Sequence, residues 1–355
     1  MRAFYLLLIF VPAAIVAKLL HLPPVWVFGA SALAMLPLAW ALGEATEELA
    51  LHSGPRLGAF LNATLGNAAE LIIAIVALRA GLLELVKATI TGSIIGNLLL
   101  VLGLSLLLGG LKNGIQAFDR QAAGINAALL TLAVIGLVIP AVFSHAIETE
   151  SQIVVEYLSL GVAGALLVVY GLSLLFAFAD PARRAGVASA AGARAAAQHP
   201  SRWSLRTALL ILIGSTGLVV WISEILVAVL EPVIVAFGLT ELFLGVILIP
   251  LVGNAAEHLV AVEVAVENRM ELALGIAVGS GVQIALLVAP LLIFISLALG
   301  NPMTLIFNVF ELAALGAGVG IASLISMDGQ SNWLEGAMLL TVYAVVALAF
   351  FFLPG

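Results

Sequence analysis

Apolar residues run along this chain in blocks of about twenty, separated by small clusters of charge and by Gly/Pro punctuation; a block of that length crosses a bilayer as one helix. Eleven blocks can be marked, near 3–20, 24–43, 57–79, 84–108, 121–143, 152–178, 205–230, 240–263, 271–298, 303–326 and 334–353. The weakest boundary is Gly300-Asn301-Pro302, inside a 39-residue stretch (272–310) that carries no charge. The pattern predicts an all-α polytopic membrane protein with eleven transmembrane helices. The first block follows a basic Arg2, but no small-residue cleavage site precedes a soluble domain, so it reads as a spanning helix rather than a removed signal.

Composition agrees with the pattern. Of the residues, 63% are hydrophobic and 9% charged, at a mean hydropathy of +1.25, where soluble domains average about 25% charged. The formal charge of −7, from 20 acids and 13 bases, argues against nucleic acid as a partner. There is no cysteine, which excludes disulfides, thiolate metal sites and cysteine nucleophiles, and only five histidines remain for imidazole chemistry. With eleven spans, ten of the 13 Lys and Arg residues fall on the N-terminal side and three (Lys18, Arg79, Lys87) on the other. By the positive-inside rule the N-terminus is cytoplasmic and the C-terminus outside, as expected for a multi-pass protein of the inner cell membrane. The segment 180–203, rich in Ala and Gly with four arginines, reads as a cytoplasmic linker. It divides the chain into a first helix (1–22), a unit of five helices (23–179) and a second unit of five (204–355).

Those two units repeat one another. Gly66-Asn67-Ala68-Ala69-Glu70 recurs as Gly253-Asn254-Ala255-Ala256-Glu257, an offset of 187. The same offset carries Leu57-Gly58 onto Leu244-Gly245, Glu84 onto Glu271, and Gly92-Ser93 onto Gly279-Ser280. Five spans per unit force the second copy to insert upside down. The expected architecture is therefore a first helix plus two inverted five-helix repeats, a plan that places transport sites at the repeat interface near the midplane.

Glu70 and Glu257 lie about halfway along their spans. An acid at that depth costs roughly 2.5–3.5 kcal/mol on insertion scales and marks a site or pathway. A lone glutamate could be a protonated group bonded to a neighbouring helix, but a motif-matched pair points to function. At 100° per residue, Asn62, Gly66 and Glu70 share one helix face with Asn67 at its edge, and Gly66, Ala68 and Ala69 let a partner helix come close. Glycine at 66 and 253 also lets the helix loosen and offer carbonyls, and Pro250 adds a local break. The following helices bring Ser93 and Asn97 in the first copy, Ser280 and Gln283 in the second. Carboxylate, amide, hydroxyl and carbonyl oxygens suit a hard cation, and two carboxylates balance one divalent ion, so Ca²⁺ fits best. A carboxyl in an empty low-dielectric cavity tends to hold a proton, so Ca²⁺ and H⁺ would compete for the same two groups. His258, which has Leu71 as its counterpart, could relay a proton or simply bond a neighbouring helix. Glu44, Glu47 and Glu48 at the end of the second span, and Glu224 in the seventh, could line the ion entrances or lie solvated at the interface. Glu311 has Gly124 as its partner, so the repeat lends it no support.

At the level of whole motifs, 66–70 and 253–258 resemble the paired signatures of the Ca²⁺/H⁺ exchanger (CAX) family of the cation/Ca²⁺ antiporter superfamily. Further matches are Gly43–Ala50, Gly279–Leu286 and Asp328–Gly336, so the resemblance covers nearly the whole chain. It implies eleven helices, Glu70 and Glu257 as carriers of Ca²⁺ and H⁺, and Asn67, Asn254, Ser93, Ser280 and Gln283 near the site. Sodium-coupled relatives typically place a further acid on the helix after the second motif, and 272–298 has none.

The expectation is a secondary antiporter exchanging cytosolic Ca²⁺ for H⁺ by alternating access, with no cofactor. Its partners would be the two ions and the bilayer, with a homo-oligomer left open. The alternatives are a Na⁺- or K⁺-coupled Ca²⁺ exchanger and, further off, a cation channel. An enzyme would need a Ser/His or paired Asp arrangement, and no Asp lies within the proposed spans.

Overall fold

The computed structural model describes residues 6–146, 152–179 and 202–353. Most of the expected linker 180–203 therefore lies outside the described residues. The fold is nearly all-helical. In chain order the helices are α1 (Phe10–Leu19), α2 (Pro24–His52), α3 (Pro55–Leu65), α4 (Ala68–Arg79), α5 (Leu83–Ile95), α6 (Leu102–Asn113), α7 (Arg120–Ala146) and α8 (Gln152–Ala179). After the linker come α9 (Leu205–Ala228), α10 (Leu230–Phe237), α11 (Glu241–Phe243), α12 (Ile249–Gly253), α13 (Ala255–Val266), α14 (Met270–Gln283), α15 (Ala289–Ala298), α16 (Val309–Ile325) and α17 (Trp333–Phe352). Three π-helical turns, Gly96–Val101, Leu244–Leu248 and Ile284–Val288, join α5 to α6, α11 to α12 and α14 to α15.

Among the described residues eight helical stretches are long and apolar enough to cross a membrane, or nine if α10 and α11–α12, bent by 112°, form one broken span. The first and tenth expected spans appear as shorter helices, α1 and α16. Several boundaries move for local reasons. α2 runs on to His52 rather than stopping at 43, because Glu, Ala and Leu favour helix and Thr46 bonds back to Leu42 O at 2.9 Å. The expected span 57–79 is two helices, so the single face proposed for Asn62, Gly66 and Glu70 does not continue through Asn67 (φ −103°, ψ 31°). The break expected near Pro250 falls at Asn254 (φ −94°, ψ 4°), while Pro250 sits just inside α12, where the preceding π turn absorbs its missing N–H.

The expected span 303–326 becomes helical only at Val309. Residues 301–308 form an irregular strap in which Met303, Leu305 and Phe307 are buried. Non-helical backbone survives inside a membrane protein only when its polar groups find partners. Here Met303 N donates to Ser296 Oγ (2.9 Å), Leu305 N to Ser159 Oγ (3.0 Å), and Lys87 Nζ to Ile306 O (2.8 Å). Asn308 then caps α16, with Glu311 closing the capping box.

The stretch 328–336, one of the family-like motifs, has a structural explanation. Gln330–Ser331 pairs antiparallel with Gln116–Ala117, and Asn332 and Glu335 form the capping box of α17. Gly336 then lets α17 lie on the backbone of α6 beside Leu107.

Closer to the centre, α5 crosses the segment after α11 at backbone distance. A Cβ on Gly92 would collide with the carbonyl of Val246, and one on Gly245 with the side chain of Ala88. The two glycines bring one motif-bearing half against the other. Gly92→Ala is expected to destabilise the protein by about 1–3 kcal/mol through overpacking. Gly316→Ala, on an open face of α16, should be neutral or gain roughly 0.5–1 kcal/mol. Thermal unfolding of the detergent-solubilised chain followed by tryptophan fluorescence compares them.

Candidate ion-binding site

Two interrupted helices build the site. Asn67 stands at the break between α3 and α4, and Asn254 at the break between α12 and α13. Glu70 and Glu257 are each the third residue of the new helix, in its first turn, where the positive end of the helix dipole favours negative charge. The breaks also release carbonyls. Ala63 O, which an unbroken helix would pair with the N–H of Asn67, instead accepts the hydroxyl of Tyr170 at 2.8 Å.

The motifs then reach across to the opposite half. Asn67 Nδ2 donates to Gln283 Oε1 at 2.7 Å, and Asn254 Nδ2 donates to Ser93 Oγ at 3.3 Å. Ser280 Oγ donates to Glu257 Oε2 at 2.7 Å. Gly253 lies beside Glu70, with room for no more than van der Waals contact to its Cγ. A small cavity borders Glu70 and is lined also by Thr89, Ser93, Pro250 and Gly253 among apolar neighbours.

Several polar atoms here have no bonding partner. They are Asn67 Oδ1, Asn254 Oδ1, both side-chain polar atoms of Asn97, Gln283 Nε2 and His258 Nε2, all buried. Buried amide oxygens are rarely left unsatisfied, and oxygen donors of this kind suit a hard cation. Among the described residues no three His, Asp or Glu side chains gather into a group that could hold a metal ion.

The model for the sodium/calcium exchanger protein family matches residues 23–179 and 207–352. The chain belongs to this family. It is one of secondary transporters, so the chain is not an enzyme. A curated relative from Aphanothece halophytica, named Ca²⁺/H⁺ antiporter, is 47% identical over 99% of this chain and 96% of its own length. Another Ca²⁺/H⁺ antiporter, from Bacillus subtilis, is 41% identical over 97% of both chains. The solved structure of native YfkE superposes with a TM-score of 0.85 at 39% identity, covering 99% of this chain and all of that one. This exchanger-family chain is therefore a multi-pass membrane protein with the family's helical fold.

The structure thus brings Asn67 to Gln283, Asn254 to Ser93, Glu257 to Ser280 and Gly253 to Glu70, with Gly66 and His258 flanking the breaks and Asn97 in the π turn after Ser93. The acids suggested for the ion entrances sit apart. Glu44 and Glu47 are half-buried near the C-terminal end of α2, and Glu224 is exposed one turn from the end of α9. Glu48 is committed elsewhere. Its carboxylate accepts from Arg202 N (3.0 and 3.1 Å) and Trp203 N (3.3 Å), fastening the approach to α9 onto α2.

The sequence reading gave Glu311 no role, and the structure gives it one. It is fully buried, and its carboxylate accepts from Asn308 N (2.8 Å) and Thr91 Oγ1 (3.0 Å), pinning α16 to α5 two residues before Ser93. The signal available was the Asn308-to-Glu311 spacing of a capping box. Asn97 offers a clean separation of binding from stability. Asn97→Leu removes two orphaned polar atoms, so the ion-free protein should unfold at the same or a higher temperature. The same variant should bind Ca²⁺ more weakly, as read by isothermal titration.

Proposed function

We propose that this chain exchanges cytosolic Ca²⁺ for H⁺, with Glu70 and Glu257 alternately holding the metal ion and protons. The observation that carries the reading is the pairing of two motif acids, each in the first turn of a helix that starts at an asparagine break, with unpartnered amide oxygens around them. The names of the antiporter relatives support the choice of ions. Two carboxylates neutralise one divalent cation, and Asn67, Asn254, Ser93, Ser280, Asn97 and Gln283 supply or position neutral oxygens. When the cation leaves, facing carboxyl groups in a dry cavity retain protons instead. Sharing one site between the two ions makes exchange obligatory once access alternates.

The wider plan belongs to the same proposal. A first helix (1–22) precedes two inverted five-helix repeats (23–179 and 204–355) joined by a cytoplasmic linker, eleven helices in all, with the N-terminus in the cytoplasm and the C-terminus outside. The family model's two matched segments, 23–179 and 207–352, support that division. Reciprocal bonds from each asparagine to the opposite half support a site between two repeats that rock against one another. His258, buried beside Glu257, acts as the proton relay. Sodium coupling is disfavoured because 272–298 contains no further acid.

Proteoliposomes test this directly. Ca²⁺ uptake should follow an imposed pH gradient, acid inside, and should not follow a Na⁺ gradient alone. Glu70→Gln and Glu257→Gln should each reduce it to background, while His258→Ala should shift its pH profile. Uptake that needs the Na⁺ gradient, or Ca²⁺ flux indifferent to both counter-ions, would overturn the proton-exchange reading.

A further inference from the structure

A second cluster of unpartnered oxygens lies far from the two glutamates. A small cleft with room for a water-sized guest opens between α7, α14 and α16, lined by Asp119, Asn126, Glu271 and Ser323 among apolar neighbours. Asp119 and Glu271 are exposed. Asp119 uses only Oδ1 to cap α7, accepting from Gln121 N (2.7 Å) and Ala122 N (3.3 Å). Asn126 is only 4% exposed, and no hydrogen bond engages its amide. The hydroxyl of Ser323 is likewise buried without a partner.

The internal repeat makes Glu271 stand out. Its equivalent at the 187 offset is Glu84, which pairs with Lys87 at 2.6 Å, one turn along α5. At the position equivalent to Lys87 the second copy has Leu274. Among the described residues Glu271 has no ion pair. The nearest base along the chain, Arg269, is directed towards Glu267 at 3.9 Å. One copy thus carries its own cation at this position, and the other offers an acid facing a cleft of oxygen donors.

We propose that this cleft is a second cation site, taking a partly hydrated divalent metal ion, Ca²⁺ or Mg²⁺, on Asp119 and Glu271 with Asn126 and Ser323. Only oxygen donors are present, which selects a hard ion. Glu271 and Ser280 are separated by nine residues of one helix, about 13 Å of rise, so the site is distinct from the one at Glu257. The floor of the cleft ends at Leu130, which packs against Gly281 beside Ser280. An ion here sits on the same helix that carries Ser280 and Gln283.

The test uses full-length protein in which Glu70→Gln and Glu257→Gln are combined, with bound ⁴⁵Ca²⁺ counted by equilibrium dialysis. One ion per chain is expected to remain. It should be lost on adding Glu271→Gln, and equally on adding Leu274→Lys, which supplies the ammonium found in the other copy. Asn126→Leu should weaken it, and competition with excess Mg²⁺ identifies the preferred occupant. Size-exclusion elution confirms that each variant is folded. Absence of the ion from the folded double variant, or its survival in Glu271→Gln, would overturn the proposal. If wild type and the double variant bind equally, the two-glutamate reading fails, yet loss in Glu271→Gln would still uphold this site.

Discussion

A backbone polar group inside a bilayer must be bonded within the protein, and the whole arrangement follows from how this chain breaks two helices under that rule. At Asn67 and Asn254 the ladder is interrupted, carbonyls and helix N-termini come free, and the asparagine side chains themselves bridge to the other half. Such breaks are tolerable only in the centre of the bundle, where other helices can approach. Gly92 and Gly245 provide that approach by removing the side chains that would hold the two halves apart. The proposed ion site and the helix interruptions therefore coincide, since Glu70 and Glu257 stand in the first turn after each break.

The surroundings repeat the same logic with different chemistry. The strap at 301–308 is another stretch of irregular backbone, but there Met303 N, Leu305 N and Ile306 O are met by Ser296, Ser159 and Lys87, so these contacts hold structure. Glu311 is as buried as any acid in the protein, yet both oxygens are engaged by Asn308 and Thr91. The contrast separates a structural acid from the two proposed for binding. Burial is common to Glu311 and the central site, while unpartnered oxygens are found at Asn67, Asn97 and Asn254. The π turns after Ser93 and Gln283 fit here too, because such turns shift the helix register where polar groups must converge.

Much of this was legible in residue order. Blocks of apolar residues gave the helical membrane class, and the recurrence of Gly-Asn-Ala-Ala-Glu identified the pair of acids, because a repeated motif at bilayer depth survives only with a purpose. On the following helices the same offset relates Ser93 to Ser280, whereas Asn97 and Gln283 stand opposite Ile284 and Gly96 and are not related by it. Boundaries were less visible. α2 continues past 43 because charge marks the membrane surface and not the end of a helix, and α16 starts late because Pro302 and Asn308 enforce an extended strap that hydropathy cannot distinguish from a span.

Sequence alone determined the class of protein, the two candidate acids and the oxygen-rich character of the site, since each depends on residue type and spacing. Tertiary structure alone decided which polar groups remain unpaired. Asn67 finds Gln283 from 216 positions away, and Thr91 finds Glu311 from 220. Whether a buried amide binds a helix or waits for an ion is set by what packs opposite it, and that partner comes from the other half of the chain.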